Sequence, residues 1–191
     1  MNKTALIMID MQRGFIDPSS PICIAGAAGT VPACAEAIRF FHEAKLPVFY
    51  AVRHYRADGS DVEKARAMVW ADGGKPLSET CDESMSDAFP EEFEVLDCDR
   101  IMIKPRFSAF FATSLDLVLR RLGVQTVVLA GTTTPNCIRT TCYDALSLDY
   151  DVIVLSDCTS SVTPEVQRAN LEDMQRIGAE IMTLDEIKNH G

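Results

Sequence analysis

Three side chains in this sequence have the types needed to open an amide bond: the thiol of Cys137, the carboxylate of Asp10 and the ammonium of Lys104. Cys137 follows an apolar run and a threonine-rich turn, and it opens a helix-like stretch. Unpaired backbone N–H groups and the positive end of the helix dipole would favour its thiolate there. The lysine would keep the carboxylate ionised and lower the thiol pKa. The set predicts attack of Cys137 on a carbonyl carbon, with Asp10 carrying the proton.

The turn before Cys137 contains the backbone groups that such a reaction needs. Attack on a carbonyl creates an oxyanion, and the N–H groups of Thr133 and Cys137 are the predicted donors to it. Losing one donor of this kind costs about 3–4 kcal/mol of barrier. Three threonines precede Pro135, and a strained or cis peptide bond near Thr132 and Thr133 would be one way to aim the donors.

These side chains stand at or just beyond the ends of apolar runs. Six such runs predict strands, at residues 5–9, 47–52, 100–103, 126–130, 152–155 and 180–182. Apolar residues at helical spacing predict helices at residues 32–44, 108–122, 135–148 and 164–177. The alternation predicts an α/β three-layer sandwich with a six-stranded, mostly parallel sheet. Because ligands bind at the carboxyl ends of such strands, Asp10, Arg53, Lys104 and the Gly131 turn are expected to share one site.

Residues 55–99 interrupt this alternation. They are polar, acidic and rich in Gly and Pro turn signals, with a possible short helix at residues 61–70. A long irregular segment inside a compact domain usually carries function or an interface. We expect this segment to close a pocket and to help build a homodimer or homotetramer.

Composition narrows the functional class. The 191 residues, 47% of them hydrophobic, predict a single domain over residues 1–191. A net charge of −10 argues against a nucleic-acid partner. No apolar run reaches the ~18 residues of a membrane span, and the start lacks a signal-peptide pattern, so a cytoplasmic protein without membrane partner is expected. Seven cysteines without a Cys-x-x-Cys pair suggest neither a disulfide framework nor a zinc site.

Three motifs resemble the isochorismatase-like cysteine hydrolases, which include nicotinamidases, N-carbamoylsarcosine amidohydrolases and ureidoacrylate hydrolases. The motifs lie at residues 5–12, 103–110 and 130–138. The resemblance covers nearly the whole chain and implies an isochorismatase-like, Rossmann-like topology. It also implies that Cys137 is the nucleophile, Asp10 the acid/base and Lys104 the supporting cation. A cis peptide bond between Thr132 and Thr133 is implied as well.

The segment after the second strand departs from the nicotinamidase pattern. Nicotinamidases carry an Asp and two His there as metal ligands, whereas residues 53–61 of this chain contain one histidine, His54. A single imidazole makes a poor zinc site. A hydrolase without metal or organic cofactor is therefore predicted.

Candidate pocket residues follow from the same stretches. The guanidinium of Arg53 could bind a carboxylate of a small-molecule substrate, as could His54 and Arg56. The rings of Phe15 and Phe107 could wall the pocket. Phe15 is the best candidate by resemblance.

The predicted activity is cleavage of a C–N bond in a small amide, carbamoyl or ureido compound through a thioester on Cys137. One alternative is hydrolysis of the vinyl ether of isochorismate, for which Asp10 alone would suffice as general acid. The other is a catalytically idle member that serves as a binding or scaffold module. Retention of all three catalytic residue types favours the amidase interpretation.

Overall fold

The predicted strands all join one parallel sheet. A computed structural model describes residues 3–189; the first two residues, on which the expectation of no signal peptide partly rests, lie outside it. Within that range the strands are β1 (Thr4–Ile9), β2 (Val48–Val52), β3 (Arg100–Ile103), β4 (Thr126–Thr132), β5 (Asp151–Ser160) and β6 (Glu180–Met182). They pair in the order β3-β2-β1-β4-β5-β6, and every neighbouring pair is parallel. The prediction of a six-stranded α/β sheet is confirmed.

Seven helices surround the sheet within residues 3–189, together with a short 3-10 turn and a π-helical turn. The helices are α1 (Arg13–Ile16), α2 (Ala27–Glu43), α3 (Ala67–Asp72), α4 (Leu115–Arg121), α5 (Arg139–Ser147), α6 (Pro164–Arg176) and α7 (Leu184–Asn189). Helices α1 and α7 are not predicted by the sequence pattern. Helix α2 begins five residues before its predicted start, because Pro32 lies inside the helix and not at its first position.

Two other predicted helices are wrong at their starts. The helix predicted over residues 108–122 begins only at Leu115. Before it, side-chain hydroxyl groups take the place of helical backbone hydrogen bonds. The Phe110 N–H donates to Ser108 Oγ at 3.1 Å, and Thr113 Oγ1 donates to the Ala109 carbonyl at 2.6 Å. The short helix predicted over residues 61–70 is confined to Ala67–Asp72.

Helices on both faces explain why β1 reads as an uninterrupted apolar run. Its side chains alternate between two cores, with Ile7 and Ile9 in one and Leu6 and Met8 in the other. The first core is completed by residues of α4, α5 and α6, and the second by residues of α2 and α7. A fully buried side chain of this size contributes about 1.5–3 kcal/mol. The strand is therefore buried on both sides, as the middle layer of a three-layer sandwich.

The strand order reverses direction between β1 and β4. The chain moves outward from β1 through β2 to β3, and then returns to place β4 on the other side of β1. Such a switch point opens a crevice at the carboxyl ends of the strands, where ligands of α/β proteins bind. Asp10, Arg53 and Lys104 each follow the last residue of β1, β2 and β3 at this edge.

The segment between β2 and β3 forms a small core of its own. Tyr55, Val62, Trp70 and Leu77 are buried against one another, and Phe15 packs on them from outside the segment. The Trp70 indole N–H donates to the Pro76 carbonyl at 2.9 Å, which closes the turn after α3. In the part of the chain described here, no helix has both the length and the apolar character for a membrane crossing.

Gly131 is required where β4 passes β1. Its φ of +112° lies in the region that L side chains rarely adopt, and a Cβ built on it would stand 2.0 Å from the Ile9 carbonyl oxygen. The register with β5 also shifts between Leu129 and Gly131. Only a residue without a side chain therefore allows this close approach.

We expect Gly131→Ala to lower the free energy of unfolding by at least about 2 kcal/mol, because both the φ strain and the clash with Ile9 must be relieved. Gly123→Ala is the matched control, since Gly123 also has a positive φ but nothing lies within 4 Å of its would-be Cβ. Urea unfolding of both variants measures the difference. Equal destabilisation by the two substitutions would contradict the close-approach argument.

Candidate active site

The ends of β1, β2 and β3 are held in register one residue beyond the strands. The Asp10 N–H donates to the Ala51 carbonyl and the Lys104 N–H to the Val52 carbonyl, both at 2.9 Å. Asp10 itself has a φ of +52°, a left-handed conformation that Asp tolerates better than most residues. These backbone bonds bring the two charged side chains to the same sheet edge.

A buried ion pair joins Asp10 and Lys104 beside the thiol. Lys104 Nζ lies 2.8 Å from Asp10 Oδ2 and 3.5 Å from Cys137 Sγ, and it also reaches the Arg106 carbonyl at 3.3 Å. Asp10 and Lys104 are each 1% exposed. The second carboxylate oxygen, Asp10 Oδ1, is buried and has no hydrogen-bond partner within residues 3–189. The structure thus brings together all three predicted catalytic residues and leaves one carboxylate oxygen available to accept a proton.

Cys137 lies in a π-helical turn between β4 and α5. The turn spans Thr134–Ile138, and the Ile138 N–H donates to the Thr133 carbonyl at 3.3 Å. Such turns are rare and occur frequently at functional sites. The Thr141 hydroxyl donates to the Cys137 carbonyl at 2.7 Å and accepts from the Ala109 N–H at 3.0 Å. Thr141 therefore ties the nucleophile's backbone to the loop after β3.

The expectation of a favoured thiolate is wrong for this fold. Burial raises the pKa of Cys137 to about 11, and the carboxylate of Asp10 acts in the same direction. Lys104 and Arg53 oppose the shift without cancelling it. Desolvation outweighs the helix dipole at this position, because it disfavours the charged form of any group taken out of water. The resting side chain at neutral pH is the thiol, and Asp10 is positioned to remove its proton.

The threonine turn is fixed by the end of β5. The peptide bond between Thr132 and Thr133 is cis, as the resemblance implied. The hydroxyl groups of Thr132, Thr133 and Thr134 all donate to the Ser160 carbonyl, at 3.5, 3.4 and 2.9 Å. Sequence reasoning missed Ser160, because the predicted strand ended at residue 155 and β5 continues to Ser160. The oxyanion-hole roles of the Thr133 and Cys137 N–H groups remain predictions.

A cavity of about 490 Å³ lies beside the candidate catalytic residues. Asp10, Thr133 and Cys137 line one side of it. All three predicted pocket residues, Phe15, Arg53 and Phe107, line it as well. Sequence reasoning missed several further lining side chains from the segment between β2 and β3: Tyr55, Val62, Arg66 and Leu77. No periodic pattern marks these residues, so only the folded segment identifies them.

Arg53 is paired inside the protein. Nη1 donates to Tyr55 Oη at 2.7 Å and forms an ion pair with Glu63. Burial alone would lower the pKa of Arg53, but the attraction of Asp10 and the other nearby groups raises it. The backbone of Arg53 is held by the Gln12 amide, which accepts from its N–H and donates to its carbonyl, both at 2.8 Å. Gln12, the last residue of the first motif, thereby joins the ends of β1 and β2, a role that the sequence pattern does not predict.

His54 and Arg56 are not among the residues that line the cavity, so the structure gives no support to their predicted contact with a substrate carboxylate. Alternate residues of an extended chain point to opposite sides. Arg53 and Tyr55 are accordingly buried, whereas Arg56 is exposed. His54 is turned toward Asp87, with Nδ1 2.8 Å from its Oδ2.

The residues in this region do not fit a metal ion. His54 has one carboxylate neighbour, and the described chain contains no group of three or more His, Cys, Asp or Glu side chains placed to hold a cation. No step of the chemistry is assigned to a metal here.

Comparisons with known proteins identify relatives over the whole length. A family model described as the isochorismatase domain matches residues 4–186. A probable inactive nicotinamidase from Arabidopsis thaliana is 37% identical over 186 residues, which cover 96% of this chain and 93% of the relative. Maleamate amidohydrolase from Pseudomonas putida is 32% identical over 186 residues, covering 95% of this chain and 83% of the relative.

A solved structure agrees with the fold. The crystal structure of an isochorismatase family protein from Desulfovibrio vulgaris superposes with a TM-score of 0.92 at 38% identity, covering 98% of this chain and 97% of that chain. The resemblance noted in the sequence is confirmed. The chain belongs to the isochorismatase family of hydrolases, whose members include amidohydrolases.

Proposed function

We propose that this protein is a cysteine hydrolase that cleaves the C–N bond of a small amide, carbamoyl or ureido compound. The observation that carries the proposal is Lys104 Nζ at 2.8 Å from Asp10 Oδ2 and 3.5 Å from Cys137 Sγ, with Asp10 and Cys137 both lining the cavity. Similarity to maleamate amidohydrolase supports C–N bonds as the target. The three groups supply a nucleophile, a proton acceptor and a fixed positive charge.

Acylation begins with transfer of the Cys137 proton to Asp10. The sulfur attacks the carbonyl carbon, and the oxygen of the tetrahedral intermediate takes the negative charge. Lys104 offsets the charge that moves between sulfur and carboxylate. Collapse of the intermediate breaks the C–N bond, and protonated Asp10 donates its proton to the departing nitrogen. The products of this half-reaction are an amine or ammonia and a thioester on Cys137.

Deacylation uses the same groups in reverse. Asp10, again a carboxylate, takes a proton from water as that water attacks the thioester carbon. The second intermediate expels the Cys137 sulfur, which recovers its proton from Asp10. The acid leaves the cavity, and the resting thiol and carboxylate are restored. None of these reaction steps uses a cofactor.

A catalytically idle member is the second candidate, and the similarity to a probable inactive nicotinamidase is the observation that favours it. The intact arrangement of Asp10, Lys104 and Cys137 supports the hydrolase instead. A screen of amides, carbamoyl compounds and ureides separates the two, since an idle member turns over none of them. The single domain over residues 1–191, the homodimer or homotetramer and the cytoplasmic location remain predictions.

We expect Cys137→Ala to lower kcat on amide substrates at least about a thousandfold, because the covalent intermediate cannot form. Cys98→Ala, at an exposed thiol, is the matched control and should leave kcat unchanged. Mass spectrometry of an acid-quenched reaction of the native chain should find an acyl group on Cys137. A fully active alanine variant refutes the mechanism, and one that still hydrolyses isochorismate identifies the vinyl-ether route.

The raised pKa of Cys137 predicts how its reactivity changes with pH. Below about 11, the thiolate fraction grows about tenfold for each pH unit, so alkylation by iodoacetamide should keep accelerating from pH 7 to 10. Peptide-resolved mass spectrometry measures the rate at Cys137, with exposed Cys98 as an internal control for the reagent. A Cys137 rate that is already constant at pH 7 would show a preformed thiolate and contradict the assignment.

Incubation with 1,10-phenanthroline or EDTA should leave turnover unchanged, because the described residues offer no ligand set for a metal. The measurement is kcat before and after chelation and gel filtration. The control is a second aliquot carried through the same steps without chelator. Activity that is lost on chelation and returns with added zinc would overturn the metal-free mechanism.

A further inference from the structure

Three buried polar side chains form a closed hydrogen-bonded cluster just beyond β2: Arg53, Tyr55 and Glu63. Arg53 Nη1 donates to Tyr55 Oη at 2.7 Å and forms an ion pair with Glu63 Oε1. The Tyr55 hydroxyl in turn donates to Glu63 Oε2 at 2.8 Å. Both carboxylate oxygens of Glu63 therefore have partners inside the cluster, and the guanidinium is anchored through one of its nitrogens.

The cation and the anion of this cluster differ in their position relative to the cavity. Arg53 lines the cavity, whereas Glu63 is not among the lining residues. Within residues 3–189, all hydrogen bonds of the Arg53 side chain use Nη1, so Nε and Nη2 have no partner there. The Phe107 ring centroid lies 5.3 Å from Arg53 Cζ, a cation–π contact that helps to orient the guanidinium. The cavity wall therefore contains a fixed positive charge whose counter-ion lies behind it.

This guanidinium acts on the same thiol as Lys104. The charged groups that act on Cys137 follow three neighbouring strands: Asp10 after β1, Arg53 after β2 and Lys104 after β3. Burial and the Asp10 carboxylate raise the pKa of Cys137, and the two cations oppose them. An ionised Cys137 beside an ionised Asp10 would present two negative charges to a single ammonium. A guanidinium, which stays protonated at every working pH, supplies the second positive charge.

We propose that Arg53 is a second fixed cation beside Cys137 and stabilises negative charge on its sulfur. Glu63 and Tyr55 are then positioning residues that hold the guanidinium in the cavity wall. The inference rests on the proposed function for the use of this charge in turnover. Sulfur carries negative charge as it attacks the carbonyl carbon and again as the thioester breaks.

Alkylation of Cys137 by iodoacetamide, a neutral reagent, measures this charge without turnover. The double variant Arg53→Gln/Glu63→Gln keeps hydrogen-bonding side chains in the cluster and removes both charges. We expect it to be alkylated at Cys137 at least about tenfold more slowly at pH 8, because its pH profile shifts upward by about one unit. Arg53→Lys, which keeps a cation without the planar fork, should slow the reaction less.

Two single variants separate the charge of Glu63 from its anchoring. Glu63→Gln leaves the cation in place and can still accept a hydrogen bond from it, so Cys137 should react at least as fast as in the native chain. Glu63→Leu removes the acceptor as well, and its rate should be about threefold or more below that of Glu63→Gln. Equal rates in these two variants would refute the positioning role of Glu63.

The same digests contain a control for folding, since Cys142 is fully buried and should stay unreactive. If the double variant exposes Cys142, Arg53→Met/Glu63→Leu takes its place, because apolar residues often replace a buried ion pair without loss of stability. It should show the same slowing. Arg56→Gln removes an exposed arginine of the same segment that does not line the cavity, and it should leave the Cys137 rate unchanged.

The inference is overturned if the folded double variant reacts like the native chain, or if Glu63→Gln slows Cys137 as much as the double variant does. The latter outcome would mean that the cluster only supports the fold around the thiol. Turnover gives a separate test: on a neutral amide, the double variant should lower kcat at least about tenfold and change KM less than about threefold. A raised KM at unchanged kcat would show that Arg53 binds substrate instead. A native chain that hydrolyses no amide would refute the hydrolase and leave the order of alkylation rates standing.

Discussion

A buried ammonium–carboxylate pair, Lys104 with Asp10, governs the geometry of the candidate site. Removing two charges from water costs several kcal/mol per ion, and this cost is recovered only if the charges meet in good geometry. The parallel ladder supplies that geometry, because the backbone bonds from Asp10 to Ala51 and from Lys104 to Val52 set both side chains at one edge. Taking away one partner would leave the other charge buried and unpaired, which costs about 3–5 kcal/mol. The same contact places a cation and a proton acceptor next to Cys137.

Burial and charge act against each other at the thiol. The enclosed position of Cys137 raises its pKa to about 11, while Lys104 and Arg53 act to lower it. The result is a protonated nucleophile beside a buried carboxylate oxygen without a partner in the described chain, Asp10 Oδ1. Catalysis in this arrangement would couple sulfur attack to proton transfer, so that no isolated thiolate has to be stabilised in the dry site.

The segment between β2 and β3 supplies what the sheet edge lacks. The strand ends position reactive groups on a backbone that parallel pairing makes rigid, whereas Tyr55, Trp70 and Leu77 wall off the space in front of them. Arg66 and Glu63 come from the same segment: Arg66 lines the cavity, and Glu63 forms an ion pair with the lining residue Arg53. Reactive groups on the sheet and selective groups on the connection are a common division of roles in α/β proteins.

The amino-acid order alone was sufficient to predict the parallel sheet and to select Asp10, Lys104 and Cys137 as candidate site residues. Strands buried on both faces are continuous apolar runs, and the polar residues at their ends are therefore easy to recognise. The motif resemblance added the cis bond at Thr132 and Thr133. Only the tertiary structure decided that burial keeps Cys137 protonated, that His54 does not line the cavity and that Arg66 does. Burial and long-range pairing determine these properties, and neither is encoded by the local pattern around any single residue.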